Sequence, residues 1–298
     1  MSDSSREAGS QPGSSGEGEA PPADGRGSVA AIVDQVVTLA IAIVIALAIR
    51  HFLVEPFRIP SGSMFPTLLI GDHLFVNKLA YGPRIPFTDL RLPGFREPQR
   101  GDVVVFEVAR PLNRQGQRVI QPADRSPEGS PSEDFVKRLV GLPGDRITLR
   151  NGRVWVNDEL LPLWPSDERF SDESGYELDV AREDLGECRH ALLDDPRANR
   201  LDRGTWVVEP GRYFMMGDNR DNSNDSRAWG SVRLEELKGP AFILYWSWDV
   251  NGNMLSFFNP MNWLRAEKRW DRVFQRVKCD PVEPQSGMPS QAAEAIGP

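Results

Sequence analysis

The chain has 298 residues, enough for one large domain or two modest ones whose core needs no metal or disulfide to staple it. Its 35 lysines and arginines against 43 aspartates and glutamates leave a formal net charge of −8, which argues against a partner held through its phosphates, so no nucleic acid is expected. Cys188 and Cys279 form no CxxC or Cys/His cluster, so no metal site is expected; two unpaired cysteines are the favoured state, and a Cys188–Cys279 disulfide is the alternative.

Residues 1–28, "MSDSSREAGSQPGSSGEGEAPPADGRGS", hold almost no bulky apolar side chain that could offset the entropy of ordering, and read as a disordered leader. Residues 29–54 carry an unbroken apolar run from Val36 to Ile49. Extended past Asp34 and Gln35, or past Arg50 and His51, the run reaches the roughly 20 residues a membrane-spanning helix needs. Two other readings compete with a retained anchor. "ALA" at Ala46–Ala48 resembles the cleavage site of a secretory signal, although the acidic leader and the lack of a basic start argue against one, and a buried core helix is the other. Arginines flank the span on both sides, so charge alone does not orient it.

Beyond the anchor the pattern turns to strand, and the chain reads as mainly β. "DHLFVNKLAY", "GDVVVFEVA", "DRITLRNGRVWVND", "GTWVVEPGRYFMMGD" and "GPAFILYWSWD" are rich in β-branched and aromatic residues and bounded by turn formers. Asn151 and Gly152 suit a tight type I′ hairpin. Residues 55–157 and 204–250 are expected to form a β core in two parts. Residues 110–133 then read as an inserted ribbon or loop, and 158–203 as an inserted second domain with weaker strands. In 251–298, Trp263, Trp270, Phe274 and Val277 recur at near-helical spacing among basic residues, so this segment reads as amphipathic and is expected either to pack on the core or to lie against anionic lipid; a disordered tail follows it.

The chemistry begins at "EPFRIPSGSMFPTLLIGD", where two serines stand one residue apart just after the span. A serine hydroxyl is a weak nucleophile at neutral pH and needs a base within hydrogen-bond reach, yet none of His51, His73 and His190 lies in a catalytic context. A lysine can serve if burial keeps its amine neutral. In "DFVKRLVGLPGD", strand alternation puts Phe135, Lys137 and Leu139 on one face, so Lys137 would point inward. The polar run "GDNRDNSNDSRAWG", residues 217–230, could supply the hydroxyls and the ion pair that aim such an amine; taken singly, each of these features is equally at home in an ordinary turn or edge strand.

Taken together and in this order after an anchor, "PSGSMFPTL", "GDHLFVNKLAYG", "RGDVVVF", "DFVKRLVGLPGD" and "GDNRDNSNDSRAWG" resemble the boxes of type I bacterial signal peptidases. The resemblance covers roughly residues 50–250. It implies a signal-peptidase-like antiparallel β core with an inserted smaller β-containing domain, tethered by an N-terminal transmembrane helix outside the bacterial cytoplasmic (inner) membrane, on the periplasmic side. It further implies cleavage of signal-peptide-bearing preproteins after small residues, Ala-x-Ala, with the lipid bilayer as a partner and no cofactor. By the same resemblance Ser63 matches the nucleophile, Lys137 the general base, Ser61 an oxyanion-hole hydroxyl, and Ser223 the hydroxyl that orients the lysine. Asp225 and Arg227 match a loop-bracing ion pair, and Phe57, Ile59, Met64, Leu68, Leu74, Phe135 and Val136 match the lining of the substrate pockets. Relatives with two anchors before the serine are common in the family, whereas one span is visible here, and the acidic leader lies outside the family pattern. The rival readings are another Ser/Lys protease on the same core, such as a self-cleaving repressor or a conjugation-pilus maturation peptidase, and a non-catalytic, membrane-tethered β domain.

Overall fold

The computed structural model describes residues 25–85, 88, 90–172, 175–195, 204–249 and 267–282. The chain divides between Leu47 and Ala48 into two compact units. In the first, α1 (Gly25–Ala48) starts four residues before the expected anchor, so the leader's last residues are helical; residues 1–24 lie outside the described residues. A π-helical turn, Ile49–Leu53, continues it into the second unit. Ala30–Leu53 is the one helix among the described residues long and apolar enough to cross a membrane, and Ile32, Leu39, Val44 and Leu47 on it are exposed. Such a surface does not suit the core helix of a soluble domain, which removes that reading.

The second unit is built from strands. β1 (Val54–Arg58) and β2 (Asp72–Asn77) flank the serine-bearing turn. After the short α2 (Lys78–Tyr81), β3 (Val103–Ala109) and β4 (Ser132–Gly141) form a long antiparallel pair. β5 (Arg146–Arg150), β6 (Arg153–Val156) and β7 (Glu159–Leu160) make a small meander, and β8 (Leu163–Ser171), β9 (Glu177–Leu185) and β10 (Cys188–Asp194) make a larger one. β11 (Gly204–Val207), β12 (Arg212–Met216), α3 (Ser226–Trp229), β13 (Val232–Arg233), β14 (Leu237–Asp249), β15 (Glu267–Lys268) and β16 (Asp280–Pro281) follow. The main sheet runs β1-β2-β14-β3-β4-β12-β13 with β15 on β14; two four-stranded sheets run β16-β10-β9-β8 and β11-β5-β6-β7.

The sequence explains this order. β3 and the inner half of β4 are buried on both faces and occupy the middle of the main sheet, whereas β2 alternates buried Leu74 and Val76 with half-buried His73 and Phe75. Apolar clusters cover both faces of the main sheet: Ile59, Met64, Leu68, Leu74, Val105 and Leu244 in one, Phe106, Val108, Leu139, Met215 and Leu237 in the other. The hairpin between β5 and β6 turns at Asn151 and Gly152 with φ of 51° and 74°, the left-handed geometry expected there.

Four expectations are corrected. The stretch "DHLFVNKLAY" is a strand only to Asn77, whose side chain accepts from Ala80 N at 3.2 Å and caps α2. Residues 158–203 contain three substantial strands, and β16 from the C-terminal part completes their sheet by pairing with β10 at Cys188 and Arg189. Their strength was hidden because β8 exposes charged residues on its open face, which interrupts the apolar alternation. Cys188 and Cys279 form a disulfide rather than two free thiols, because β16 brings the C-terminal segment onto β10.

The C-terminal segment is also not a helix over 267–282. Its backbone is taken up by the edge of β14: Phe274 N donates to Leu244 O, Leu244 N to Gln275 O, and Val277 N to Phe242 O. Its arginines turn inward, Arg269 to Ile70 O at 2.9 Å and Arg272 to the buried Asp72 at 2.6 Å, so these two basic groups serve packing rather than a lipid face. Trp270 and Phe274 remain exposed, and Trp263 lies outside the described residues.

Candidate active site

Ser63 sits on a single 3-10 turn, Gly62–Met64, in the loop joining β1 to β2. The loop is closed at its base by Ile59 N to Asp72 O and Gly71 N to Ile59 O, and Met64, Phe65 and Leu68 are its buried apolar anchors. Lys137 lies in β4, opposite Val104 of β3. These elements bring Lys137 Nζ to 2.6 Å from Ser63 Oγ, although the residues are 74 apart in sequence. Lys137 Nζ also donates to Val136 O at 3.0 Å and lies 5.5 Å from the centre of the Phe135 ring on the same strand face. Ser61 Oγ is exposed, 3.5 Å from Ser63 Oγ. None of the three histidines is a described partner of Ser63: His51 bonds Arg84 O, His73 packs on Tyr245, and His190 is buried against Glu183 and Asp218.

Lys137 is only 4% exposed, and burial pushes its amine down from 10.5 to about 8; Asp225 and Asp218 pull it back up, and Arg227 pushes it further down. A large part of the population is therefore neutral slightly above physiological pH, and a neutral amine 2.6 Å from a hydroxyl can accept its proton.

The polar run after β12 closes over the serine turn. Asn219 N donates to Ser63 O and Asn219 Nδ2 to Gly62 O, both at 3.1 Å, so this residue, unremarked in the sequence, holds the serine turn through its backbone and its side chain. Gly217 is where the two loops meet: a Cβ there would collide with Ser223 Oγ and with the Ser63 carbonyl oxygen. Asp225, with no exposed surface, takes Arg227 Nε and Nη2 at 2.8 and 2.9 Å and Gly217 N at 2.9 Å, while Arg227 reaches on to Arg220 O. The pair thus ties both ends of the loop. Ser223 Oγ is buried beside this junction but has no hydrogen-bond partner among the described residues, and its expected bond to Lys137 is not formed.

Of the expected pocket residues, Phe57, Ile59, Met64, Leu68, Leu74 and Val136 pack in a single apolar cluster, and Phe135 packs with Phe106 on another.

Directly behind the dyad is a buried ionic network that sequence reasoning missed. Arg138, the neighbour of Lys137 on the opposite strand face, forks onto Asp218 at 2.7 and 2.6 Å. Thr67 donates to Asp218 at 2.6 Å, and His190 bridges Asp218 to Glu183, which Arg220 clamps. Burial would raise the Asp218 and Glu183 carboxyls, but Arg138 and His190 on one and Arg220 and His190 on the other hold both below the ordinary range. Burial and Arg138 push His190 down, against the pull of Asp218 and Glu183. Alternation puts Arg138 on the strand face opposite Lys137, but only the assembled sheets show that this second face is also buried. The network joins β4, β9, β10 and the polar loop, and Leu193 N to Asp218 O adds a backbone tie.

Comparison with known proteins places this geometry in context. A family model described as signal peptidase, peptidase S26, matches residues 32–246. A signal peptidase I of Pseudomonas aeruginosa is 39% identical over 218 residues, 68% of this chain and 69% of its own length. A signal peptidase I of Aquifex aeolicus is 32% identical over 264 residues, 78% of this chain and 91% of its own. The crystal structure of a signal peptidase I from Enterococcus faecalis V583 is 27% identical and covers 48% of this chain and 96% of its own, with a TM-score of 0.24.

Proposed function

Given that the chain belongs to the signal peptidase family S26, serine peptidases that remove signal peptides, we propose that it cleaves exported preproteins with a Ser63–Lys137 dyad, after small residues. The observation that carries this reading is the 2.6 Å approach of Ser63 Oγ to the buried Lys137 amine. In the forward step the neutral amine takes the Ser63 proton as Oγ attacks the scissile carbonyl carbon. The carbonyl π-electrons move onto oxygen, where Ser61 Oγ–H and Ser63 N–H are assigned to meet the charge. Collapse breaks the C–N bond, the ammonium returns its proton to the leaving amine, and an acyl-Ser63 remains. Water, deprotonated in turn by Lys137, hydrolyses the ester and restores the dyad.

Ser223 is assigned the task of aiming the amine; its buried hydroxyl has unused hydrogen-bonding capacity. Asp225 and Arg227 are assigned the bracing of that loop. The apolar cluster around Ile59, Met64, Leu68 and Leu74, with Phe57, Phe135 and Val136, is assigned to pockets that exclude large side chains, hence an Ala-x-Ala preference. We assign the β unit to the periplasmic side of the inner membrane, the leader remaining in the cytoplasm. A Cys188–Cys279 disulfide fits an oxidising compartment.

The test is cleavage of a preprotein reporter by the full chain in detergent. Wild type is expected to cut after alanine and to spare a reporter with phenylalanine before the cut. Ser63→Ala and Lys137→Ala are expected to lose activity at least 1,000-fold, about the scale of removing a nucleophile or its base, while remaining membrane-bound. Substantial turnover by either variant would remove the dyad, and equal turnover of both reporters would remove the pocket assignment.

A further inference from the structure

Immediately after the apolar span, within the second unit, a cavity of about 230 Å³ is lined by His51, Glu55, Lys78, Arg84, Arg91 and Lys238. It lies outside the residues assigned to catalysis. Four cations face one carboxylate, so the fate of each charge decides what the cavity is for. Lys78 and Lys238 share Glu55 at 2.9 and 3.4 Å, and Lys238 also reaches Asp134 at 2.7 Å. Arg84 has Glu107 at 3.5 Å, an open contact with its side chain 43% exposed. Arg91 makes no close ion pair with a carboxylate among the described residues, and Glu235 attracts it only at longer range. Its guanidinium donates to the carbonyls of Tyr81, Glu235 and Leu237, and its Nε is buried without a partner.

Arg84 and Arg91 also stand directly opposite one another across an antiparallel bridge. Like charges facing across a ladder repel, and an anion between them reverses the sign. Burial and the Arg84 charge push the Arg91 guanidinium down and outweigh the pull of Glu235 and Tyr213, the direction expected of a cation whose counter-charge is not close by.

The location supplies the anion. The helical span Ala30–Leu53 is 24 residues, about 36 Å at the α-helical rise, against a hydrocarbon layer of roughly 30 Å. Arg50 and His51 are the polar residues of its C-terminal turn, and polar residues at a span's end sit among the headgroups. His51, whose Nε2 contacts Arg84 O at 3.1 Å, makes that turn a wall of the cavity. The cavity is smaller than the roughly 300–1,000 Å³ of drug-sized sites, which suits a headgroup and not a peptide.

We propose that this cavity binds the phosphate of an anionic glycerophospholipid, with Arg84 and Arg91 as its principal ligands and Lys78 and Lys238 at its rim. The inference needs membrane attachment but no peptidase chemistry. It is tested by native mass spectrometry of the full chain released from micelles containing phosphatidylglycerol or phosphatidylcholine, with millimolar inorganic phosphate as a separate arm. Wild type is expected to retain one phosphatidylglycerol at least tenfold more often than phosphatidylcholine. Arg84→Gln and Arg91→Gln are expected to reduce that preference at least fivefold, and inorganic phosphate is expected not to abolish it. Arg91 also supports backbone carbonyls, so Arg84→Gln, at a half-exposed position, keeps the test valid if Arg91→Gln fails to fold. Equal retention of the two lipids, an unchanged preference in Arg84→Gln, or loss of the lipid to inorganic phosphate would each overturn the proposal.

Discussion

Lys137 illustrates how one residue couples stability to chemistry. Moving its amine from 10.5 to about 8 by burial corresponds to about 3 kcal/mol against the folded chain whenever the group is protonated in both states. The sign follows from proton counting. Below pH 8 folded and unfolded chains both carry the proton and the cost is fully present; between 8 and 10.5 the folded chain releases it first; above 10.5 both are neutral and the cost is gone. Lys137→Met is therefore expected to be more stable than wild type by about 3 kcal/mol at pH 7, a gap that closes as pH approaches 10.5. Denaturant unfolding in detergent at several pH values measures it, and a pH-independent gap would contradict the burial account.

The serine pair and the lysine stood out in the sequence only in combination: a hydroxyl pair in a turn and an amine in an apolar strand are each commonplace, and the order of the five boxes joined them. Arg138, Asp218, Thr67, Glu183 and His190 did not stand out, since each becomes meaningful only when β4, β9, β10 and the polar loop are brought together. Asn219 was equally silent, because its value lies in two bonds to a turn more than 150 residues away.

Among the elements, the polar loop after β12 has the least apolar content and the most precise duty. With no core of its own it depends on Asp225, which is wholly buried and therefore needs Arg227. Arg227→Met should leave that carboxylate uncompensated and cost about 3–5 kcal/mol, because breaking a buried pair from one side strands a charge. Unfolding midpoints of the variant check this, and a loss below 1 kcal/mol would show the pair to be solvent-compensated. The strands legible beforehand were those with clean alternation or apolar runs, β2, β3, β5, β6, β11, β12 and β14. β8 was not, since charges on its open face broke the pattern, and the C-terminal aromatics misled in the opposite direction. Their near-helical spacing is real, but backbone bonds to the β14 edge outweigh it.

At the scale of the whole molecule, the β16-β10-β9-β8 sheet is joined to the main sheet by apolar packing and by two further ties. One is the buried ionic network, and the other is the disulfide, whose cysteines are 91 residues apart. Phe65, next to the Ser63 turn, packs with Leu178, Val180 and Leu193 of that sheet and against the tilted ring of Phe170, so displacing the sheet disturbs the serine. A closed loop of this length restricts the unfolded chain by about 4–5 kcal/mol in the chain-entropy model. The double variant Cys188→Ser, Cys279→Ser is expected to unfold at markedly lower temperature and to lose activity in parallel. Unchanged melting would show that the ionic network and the apolar packing hold the two sheets without the disulfide.

The measurement closest to the central claim is the pH dependence of kcat/KM for reporter cleavage by the wild-type chain. A Lys137 base requires the rate to rise with pH through a midpoint near 8, as the ammonium gives up its proton. A midpoint between 6 and 7, where an imidazole titrates, or one near 10.5, where an unburied lysine does, would contradict it.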